Sequence, residues 1–253
     1  MRLEKYQGLG NDFLLLVDLD DRYRVDAACA RVLCDRHLGV GADGIIRIGP
    51  GRDGAEVTME LRNADGSEAE TSGNGLRCLA LALVEAGLVE GPRLNVLTGA
   101  GPRSAVVGRD GQVSVDMGPA RLSPAPPEAA GNDGVEPARR AALVDVGNPH
   151  LVVLDDGGHD VAALGRRHPQ WNVELVRADG DNLDMLVWER GVGETAACGT
   201  GACAAAAAAH EWGLVGSTVT VRQPGGELAV ELGDTVVLTG PAGYVCTVEV
   251  PCP

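Results

Sequence analysis

Two short segments of the chain place a nucleophilic side chain directly before a Gly-x-Gly sequence. Ser72–Gly75 has the sequence Ser-Gly-Asn-Gly, and Cys198–Gly201, 126 residues later, has the sequence Cys-Gly-Thr-Gly. Each predicts a helix start with accessible backbone N–H groups, a site suited to a carboxylate or phosphate. About half a positive charge at such a start is expected to lower a thiol pKa from about 8.5 toward neutrality.

These segments belong to a longer internal repeat. The same offset relates Glu68 to Glu194, Gly87 to Gly213, and Gly99 to Gly225. A repeat of this length indicates two half-chain units that are built alike. We therefore expect two helix starts, each with a nucleophilic side chain beside it.

Such a pair of helix starts predicts a particular chemistry. A carboxylate held between them presents its α-carbon to both, so that one group removes the α-proton while the other supplies a proton from the opposite face. Acid–base groups of this kind need pKa values near the operating pH, which Cys198 can meet and Ser72 meets poorly. Ser72 is equally typical of a plain helix N-cap, so the residues alone leave cap and catalyst open. Cys203 is expected to be a buried structural thiol.

Composition excludes several classes of protein. The chain of 253 residues has a formal net charge of -15 and contains 7 cysteines. The acidic surface makes nucleic acid and membranes poor partners, and no apolar run approaches the roughly 20 residues that span a bilayer. No signal peptide is apparent, and the odd number of cysteines without a spacing pattern favours free thiols in the cytosol. Lys5 is the only lysine. It has no glycine-rich phosphate cradle near it, which argues against a pyridoxal mechanism.

Periodicity predicts an α+β fold of two pseudo-symmetric domains, 1–118 and 119–253, each a curved mixed β-sheet wrapped around a central helix. The helices are expected over 27–37, 72–86 and 199–212, the last two closed by Gly87 and Gly213. Predicted strands alternate with turns on either side of the central helices. The stretch Pro119–Pro137, rich in proline and glycine, is the expected connector.

Seven segments, in order, resemble the diaminopimelate epimerase family, and the resemblance covers nearly the whole chain. These segments are Gly8–Phe13, Asp35–Gly44, Asn63–Glu70, Gly147–His150, Trp171–Glu174, Glu189–Thr195 and Ala197–Cys203. The resemblance implies the fold of that family and an epimerase, independent of pyridoxal phosphate and of any other cofactor or metal, that interconverts LL- and meso-diaminopimelate for lysine and peptidoglycan synthesis. It also implies an active site in a cleft that closes on the substrate, and a cytoplasmic homodimer.

The resemblance also assigns roles to individual residues. Cys198 and Ser72 occupy the positions of the acid–base pair, and His150 and Glu189 are expected to tune that pair, with Glu189 also beside the reacting amino group. The residues expected to bind the substrate are Asn11, Asn63, Gly73, Asn74, Asn148, Asn172, Glu189, Arg190, Gly199 and Thr200. Of these, the four residues at the helix starts would bind the reacting carboxylate through backbone N–H groups. Arg190 offers a bidentate guanidinium to the distal carboxylate.

Two positions depart from the family pattern. The family has Cys where this chain has Ser72, and commonly Gln where it has Gly44. The change at Gly44 removes one polar contact. The change at Ser72 has three explanations: an engineered variant, a natural enzyme in which Ser72 relays protons through a neighbour or water, or a protein that has lost two-sided chemistry.

Three functions therefore remain open. The leading one is diaminopimelate epimerisation. The second is a racemase, epimerase or dehydratase of another amino acid with Cys198 as the single thiol base. The third is an inactive protein that binds an amino acid.

Overall fold

The computed structural model describes residues 1–126, 140–155, 157 and 160–251. Contacts divide the chain into two compact units. Unit 1 comprises Met1–Asp116 together with the chain from Thr239 onward, and unit 2 comprises Met117–Leu238. The fold is α+β, as predicted, with a curved mixed sheet and few helices.

The described elements are short strands and four helices. The strands are β1 (Arg2–Gly8), β2 (Asn11–Val17), β3 (Gly44–Pro50), β4 (Val57–Asn63), β5 (Glu68–Ala69), β6 (Arg93–Thr98), β7 (Gly101–Val107), β8 (Gln112–Asp116), β9 (Arg121–Pro124), β10 (Ala141–Asp145), β11 (Pro149–Leu154), β12 (Asn172–Asp179), β13 (Asn182–Glu189), β14 (Gly193–Thr195), β15 (Thr218–Gln223), β16 (Gly226–Leu232), β17 (Val236–Pro241) and β18 (Gly243–Glu249). The helices are α1 (Ala27–Cys34), α2 (Gly73–Glu85), α3 (Val161–Arg167) and α4 (Gly199–Glu211).

Unit 1 is a mixed sheet around α2. Strand β1 pairs antiparallel with β2 and β18, β2 pairs parallel with β3, and β4 pairs parallel with β6. Strand β3 pairs antiparallel with β4, and the hairpins β6–β7 and β7–β8 complete the sheet. Helix α2 contacts β1, β2, β3, β7, β8 and β18, and its residues from Gly73 to Leu83 are all buried.

Unit 2 repeats this arrangement around α4. Strand β11 pairs parallel with β12, β12 pairs antiparallel with β13, and β13 pairs parallel with β15. Antiparallel pairs β9–β10, β10–β11 and β15–β16 complete it. Helix α4 is buried from Gly199 to Ala209. Its alanine run has no bulky side chains, so the strands around it can approach its backbone closely.

The two central helices begin and end alike. Each has 13 residues, with Ser72 or Cys198 as the N-cap residue whose side chain accepts a hydrogen bond from the backbone N–H three residues on. Gly87 and Gly213 follow the C-caps with φ values of 65° and 71°. That left-handed conformation favours glycine, which explains why the repeat keeps Gly at both helix ends.

Several predicted boundaries change in the structure. Helix α1 ends at Cys34, not His37, because Asp35 leaves the helix and its carboxylate accepts bonds from the N–H groups of His37 and Leu38. The central helices match the predicted ranges to within a residue at each end. Seven elements were not predicted from the sequence: β1, β5, β9, β12, β14, β18 and α3.

The two units defined by contacts also differ from the two domains predicted with a boundary between residues 118 and 119. The chain from Thr239 onward counts with unit 1, because β18 pairs with β1 along Arg2–Gln7. A contact made by residues so far apart in the sequence leaves no local signal. Of the predicted connector Pro119–Pro137, residues 121–124 form the exposed strand β9, and the part from 127 onward lies outside the described residues.

Candidate active site

Cys198 is held at the start of α4 by both its backbone and its side chain. Its N–H donates to Oε1 of Gln223 at 2.7 Å, and its Sγ accepts from the N–H of Gly201 at 3.3 Å. Sγ also lies 3.4 Å from Oγ1 of Thr200. The side chain is buried, with 6% of the residue exposed, so these contacts fix the sulfur in a site with little access to water.

The expectation of a lowered thiol pKa at Cys198 is wrong for this structure. Burial raises the pKa well above its ordinary value, and the negative charges of Glu189 and Glu174 add to the increase. The bonds from Thr200 and from the N–H of Gly201 act in the opposite direction but do not compensate. The helix start favours the thiolate, but desolvation of a buried anion is the larger effect. This environment therefore favours the protonated thiol over the thiolate.

A line of polar side chains leads away from this sulfur. Nδ2 of Asn148 donates to Oγ1 of Thr200 at 3.4 Å, and Oδ1 of Asn148 lies 2.9 Å from Nε2 of His150. On the other side of the ring, Nδ1 of His150 lies 2.7 Å from Oε1 of Glu174. His150 and Glu174 are both completely buried. The predicted tuning residue His150 is therefore linked to Cys198 through two intervening side chains.

Ser72 has the same local geometry in unit 1. Its Oγ accepts from the N–H of Gly75 at 3.1 Å, and the residue is half-buried rather than buried. The hydroxyl therefore caps α2, which is one of the two interpretations of this residue. Its role in chemistry stays a prediction.

Two of the predicted substrate-binding asparagines of unit 1 belong to one hydrogen-bonded chain. Arg77 donates to Oδ1 of Asn74 at 2.9 Å, and Nδ2 of Asn74 donates to Oδ1 of Asn11 at 3.2 Å. Nδ2 of Asn11 donates in turn to Oδ2 of Asp43 at 2.9 Å. Because a guanidinium only donates and a carboxylate only accepts, the two ends of the chain fix the orientation of both amides.

Asp43 is also tied to a charged cluster. Arg36 donates to Asp43 and to Asp12, and Lys5 pairs with Asp12 at 2.7 Å. Lys5 also donates to the carbonyl of Gly41. The single lysine therefore serves the structure of unit 1, in which its ammonium group is paired and largely buried.

The remaining predicted residues lie at strand ends. In unit 2, Oδ1 of Asn172 accepts from the N–H of Arg190 at 2.9 Å, and Nδ2 of Asn172 donates to the carbonyl of Pro149. Oε1 of Glu189 accepts from Oγ1 of Thr195 at 2.6 Å. Arg190 is exposed, and within the part of the chain that the structure describes its guanidinium forms no hydrogen bond or ion pair.

In unit 1, Asn63 lies at the end of β4 and donates from Nδ2 to Oγ of Ser67 at 3.0 Å. Gly44 begins β3, and an added Cβ there would lie 2.8 Å from the carbonyl of Arg62 and 3.3 Å from the ring of Phe13. A side chain at this position would therefore require the neighbouring strand to shift.

Strand register aligns the two units residue by residue. Phe13 pairs with Gly44 across β2 and β3, and His150 pairs with Asn172 across β11 and β12. Counting along β3 and β12 from these pairs makes Ile46 the counterpart of Glu174. The offset of the repeat makes Asn63 the counterpart of Glu189.

Four residues that support the site were not predicted from the sequence. They are Glu174 and Gln223 in unit 2, and Asp43 and Arg77 in unit 1. Glu174 and Asp43 lie in segments that carry the family resemblance, and that was the available signal. Nothing local marked Gln223, which reaches Cys198 from β15.

No cluster of three or more His, Cys, Asp or Glu side chains in the described residues is arranged to hold a metal ion. None of the helices formed by the described residues is long and apolar enough to cross a membrane.

Comparison with known proteins gives a consistent result. The family model described as "Diaminopimelate epimerase" matches residues 3–123 and 142–245. A curated diaminopimelate epimerase of Synechocystis sp. is 40% identical over 273 residues, covering 97% of both chains. The diaminopimelate epimerase of Pelotomaculum thermopropionicum is 40% identical and covers 99% of both chains.

Solved structures share the fold at low sequence identity. A phenazine biosynthesis protein of the PhzF family from Bacillus anthracis superposes with a TM-score of 0.76 at 16% identity, covering 100% of this chain and 99% of that one. A hydroxyproline epimerase from Agrobacterium vitis gives a TM-score of 0.69 at 18% identity, with coverage of 99% and 90%. At these identities the likeness concerns the fold alone.

Proposed function

The chain belongs to the diaminopimelate epimerase family, and from this premise we propose that it interconverts LL- and meso-diaminopimelate by proton transfer at the α-carbon, without pyridoxal phosphate. The observation that carries the proposal is the 40% identity to curated diaminopimelate epimerases over 97% of both chains. The geometry at Cys198 supports it, since a thiol there caps the helix start that presents the N–H groups of Gly199 and Thr200, which suit a carboxylate.

In the proposed reaction the substrate carboxylate is bound by the N–H groups of Gly73 and Asn74 and of Gly199 and Thr200. These dipoles stabilise the negative charge that develops as the α-hydrogen leaves. One side chain removes the α-proton and the other delivers a proton to the opposite face, which inverts the stereocentre. The proton removed and the proton delivered balance, so no other reactant is consumed.

Recognition of the rest of the substrate falls to the asparagines and Arg190. Arg190 is exposed and Asn11, Asn63 and Asn148 are half-buried, so each retains a surface that a ligand can reach. The guanidinium binds the distal carboxylate in a bidentate manner. The amides of Asn11, Asn63, Asn148 and Asn172 bind the distal ammonium and carboxylate oxygens.

Glu189 links substrate binding to the acidity of Cys198. Its negative charge is the second-largest cause, after burial, of the raised thiol pKa. A substrate ammonium group beside Glu189 neutralises that charge, so the thiol pKa falls when the substrate binds. Cys198 is then protonated while the site is empty and becomes able to exchange its proton once the substrate is in place.

Ser72 limits the rate of the proposed reaction. A hydroxyl at the start of α2 is a poor base without a strong partner, and its Oγ already accepts from the N–H of Gly75. The proposal therefore expects slow turnover, with Ser72 passing protons through water or a neighbour. It also places the protein in the cytosol as a homodimer, in keeping with the family resemblance.

The decisive experiment is incorporation of deuterium at the α-carbon in D₂O, followed separately from LL- and from meso-diaminopimelate. Wash-in from both substrates supports the proposal. Exchange with another amino acid but not with diaminopimelate would replace it with a different racemase. Tight binding with no wash-in at any pH would identify an inactive binding protein.

A further inference from the structure

A buried polar pair with no assigned role as a pair lies beneath the start of α4. Nδ1 of His150 and Oε1 of Glu174 are 2.7 Å apart and both side chains are fully buried. The second oxygen of Glu174, Oε2, has no hydrogen-bond partner within the described part of the chain. A carboxyl group in this environment is costly, so its presence needs a reason.

The fold does not supply that reason. The counterparts of His150 and Glu174 in unit 1 are Phe13 and Ile46, both buried. An added Cβ at Gly75 would lie 2.8 Å from Cδ1 of Ile46, and one at Gly201 would lie 2.7 Å from Oε1 of Glu174. The same backbone therefore accepts an apolar pair under one helix start and carries a polar pair under the other, where the thiol is.

The geometry at the outer ring nitrogen fixes the direction of its hydrogen bond. Nε2 of His150 lies 2.9 Å from Oδ1 of Asn148, and an amide oxygen only accepts. Nε2 therefore carries a hydrogen in this arrangement, while Nδ1 forms the hydrogen bond to Oε1 of Glu174 at 2.7 Å.

That hydrogen sets the direction of the chain that leads to Cys198. Nε2–H donates to Oδ1 of Asn148 at 2.9 Å, so the amide turns Nδ2 to Oγ1 of Thr200 at 3.4 Å. With its oxygen already accepting, Thr200 directs its own hydrogen to Sγ of Cys198 at 3.4 Å. A hydrogen bond from a hydroxyl favours the thiolate.

We propose that Glu174 is a positioning residue, which holds His150 with its Nε2 protonated so that Asn148 orients the Thr200 hydroxyl to donate to Cys198. The effect on catalysis rests on the proposed function. The orientation of the side chains does not, and it can be measured without substrate.

The first test is ¹⁵N NMR of the histidine rings in the wild-type chain. The protein has only 5 histidines, and loss of one set of signals in His150→Phe identifies the ring. The expected result is a hydrogen on Nε2 of His150. A bare Nε2 would reverse the chain and overturn the proposal, whether or not the protein turns over diaminopimelate.

The second test is a double-mutant cycle on α-deuterium wash-in. Glu174→Ile copies the residue of unit 1 and removes the anchor of His150, and Thr200→Val removes the hydroxyl. We expect Glu174→Ile to lower the rate about tenfold, the scale of one hydrogen bond, and to cause no further loss in the Thr200→Val background. If the rate losses of the two single variants multiply in the double variant, or if Glu174→Ile keeps the wild-type rate, Glu174 does not act through Thr200.

A matched variant separates positioning from folding. His150→Phe combined with Glu174→Ile recreates the pair that unit 1 already buries, so its unfolding temperature should stay within about 5 °C of wild type while the wash-in rate falls. A collapse of stability in this variant would overturn the claim that the fold does not need the polar pair. If the wild-type chain exchanges no α-hydrogen, the proposed function fails, and the NMR measurement alone decides this inference.

Discussion

Replacing Ser72 with cysteine is the sharpest test of the proposed chemistry. In unit 1, Oγ of Ser72 accepts from Gly75 N–H at 3.1 Å, and in unit 2, Sγ of Cys198 accepts from Gly201 N–H at 3.3 Å. An added Cβ on these glycines would lie 3.2 Å from Cβ of Ser72 and 3.3 Å from Cβ of Cys198. The helix start of α2 therefore has the dimensions that already hold a thiol in α4. We expect Ser72→Cys to cost at most about 1 kcal/mol of stability through a weaker cap.

The magnitude of the rate change follows from the surroundings of the new thiol. Glu174 and Glu189 raise the pKa of Cys198, but their counterparts Ile46 and Asn63 are neutral. Ser72 is also less buried than Cys198. The thiol introduced by Ser72→Cys should therefore titrate near the ordinary value of about 8.5, with roughly a tenth ionised at pH 7.5. Since general acid–base catalysis contributes about 10²- to 10⁴-fold, we expect the rate to rise about 10²- to 10³-fold.

The assay is deuterium wash-in from LL- and meso-diaminopimelate at pH 7.5, with Ser72→Ala as the matched control. Ser72→Ala should be as slow as wild type or slower, which separates the gain of a thiol from the loss of a hydroxyl. A rate in Ser72→Cys that equals or falls below wild type would refute the reasoning. It would mean that Ser72 is a working residue with its own proton relay.

Three further outcomes follow from the structure. Cys198→Ala should abolish α-deuterium wash-in, since it removes the only predicted thiol of the pair; retained turnover would exclude Cys198 from the mechanism. Glu189→Gln should lower the pKa of the Cys198 thiol, because a negative charge that opposes ionisation is removed. This pKa is measured from the pH dependence of alkylation by iodoacetamide, read on the Cys198 peptide by mass spectrometry. An unchanged or higher pKa would show that Glu189 does not raise the thiol pKa. Burial raises the pKa of Asp12, but bonds from Arg36 and Lys5 outweigh it and lower the value from 3.8 to about 2. Stability from this group is therefore present above pH 4 and is lost as the pH falls through about 2. Asp12→Asn should lower the free energy of unfolding at pH 7 by about 2 kcal/mol. It should also flatten the decline of that free energy between pH 4 and 2, measured by acid titrations followed by circular dichroism. An unchanged slope would show that Asp12 does not cause the loss of stability in acid.

The predictable parts of the fold were those encoded locally. Both central helices were predicted because a small nucleophilic cap, glycines and an apolar run stand together in each repeat. The C-terminal strand β18 was not predicted, because its pairing with β1 joins residues at opposite ends of the chain. Helix α1 was predicted too long, since the carboxylate of Asp35 ends it with bonds that periodicity does not reveal.

The candidate site also has features that are encoded locally and features that only the tertiary fold creates. The residue types at Cys198 and Ser72 indicate acid–base chemistry from the sequence alone. The direction of the thiol pKa was predicted wrongly, because the sequence shows the helix start but not the burial, and burial is the larger effect here. The carboxylate of Glu174 adds to that error, since only the tertiary fold brings it beneath Gly201.

The two units therefore combine one backbone with two electrostatic environments. In unit 2, burial and the carboxylates of Glu189 and Glu174 hold the proton on the Cys198 sulfur. Unit 1 offers neutral counterparts to both carboxylates and leaves position 72 half-buried, which would favour release of a proton by a thiol there. Acid and base in such a pair need different pKa values, and this asymmetry provides the difference without any change in fold. Serine at position 72 therefore weakens the side of the pair that the surroundings suit to be the base, while the acid side remains intact. On this reasoning, introducing a thiol at position 72 is enough to give fast two-sided exchange.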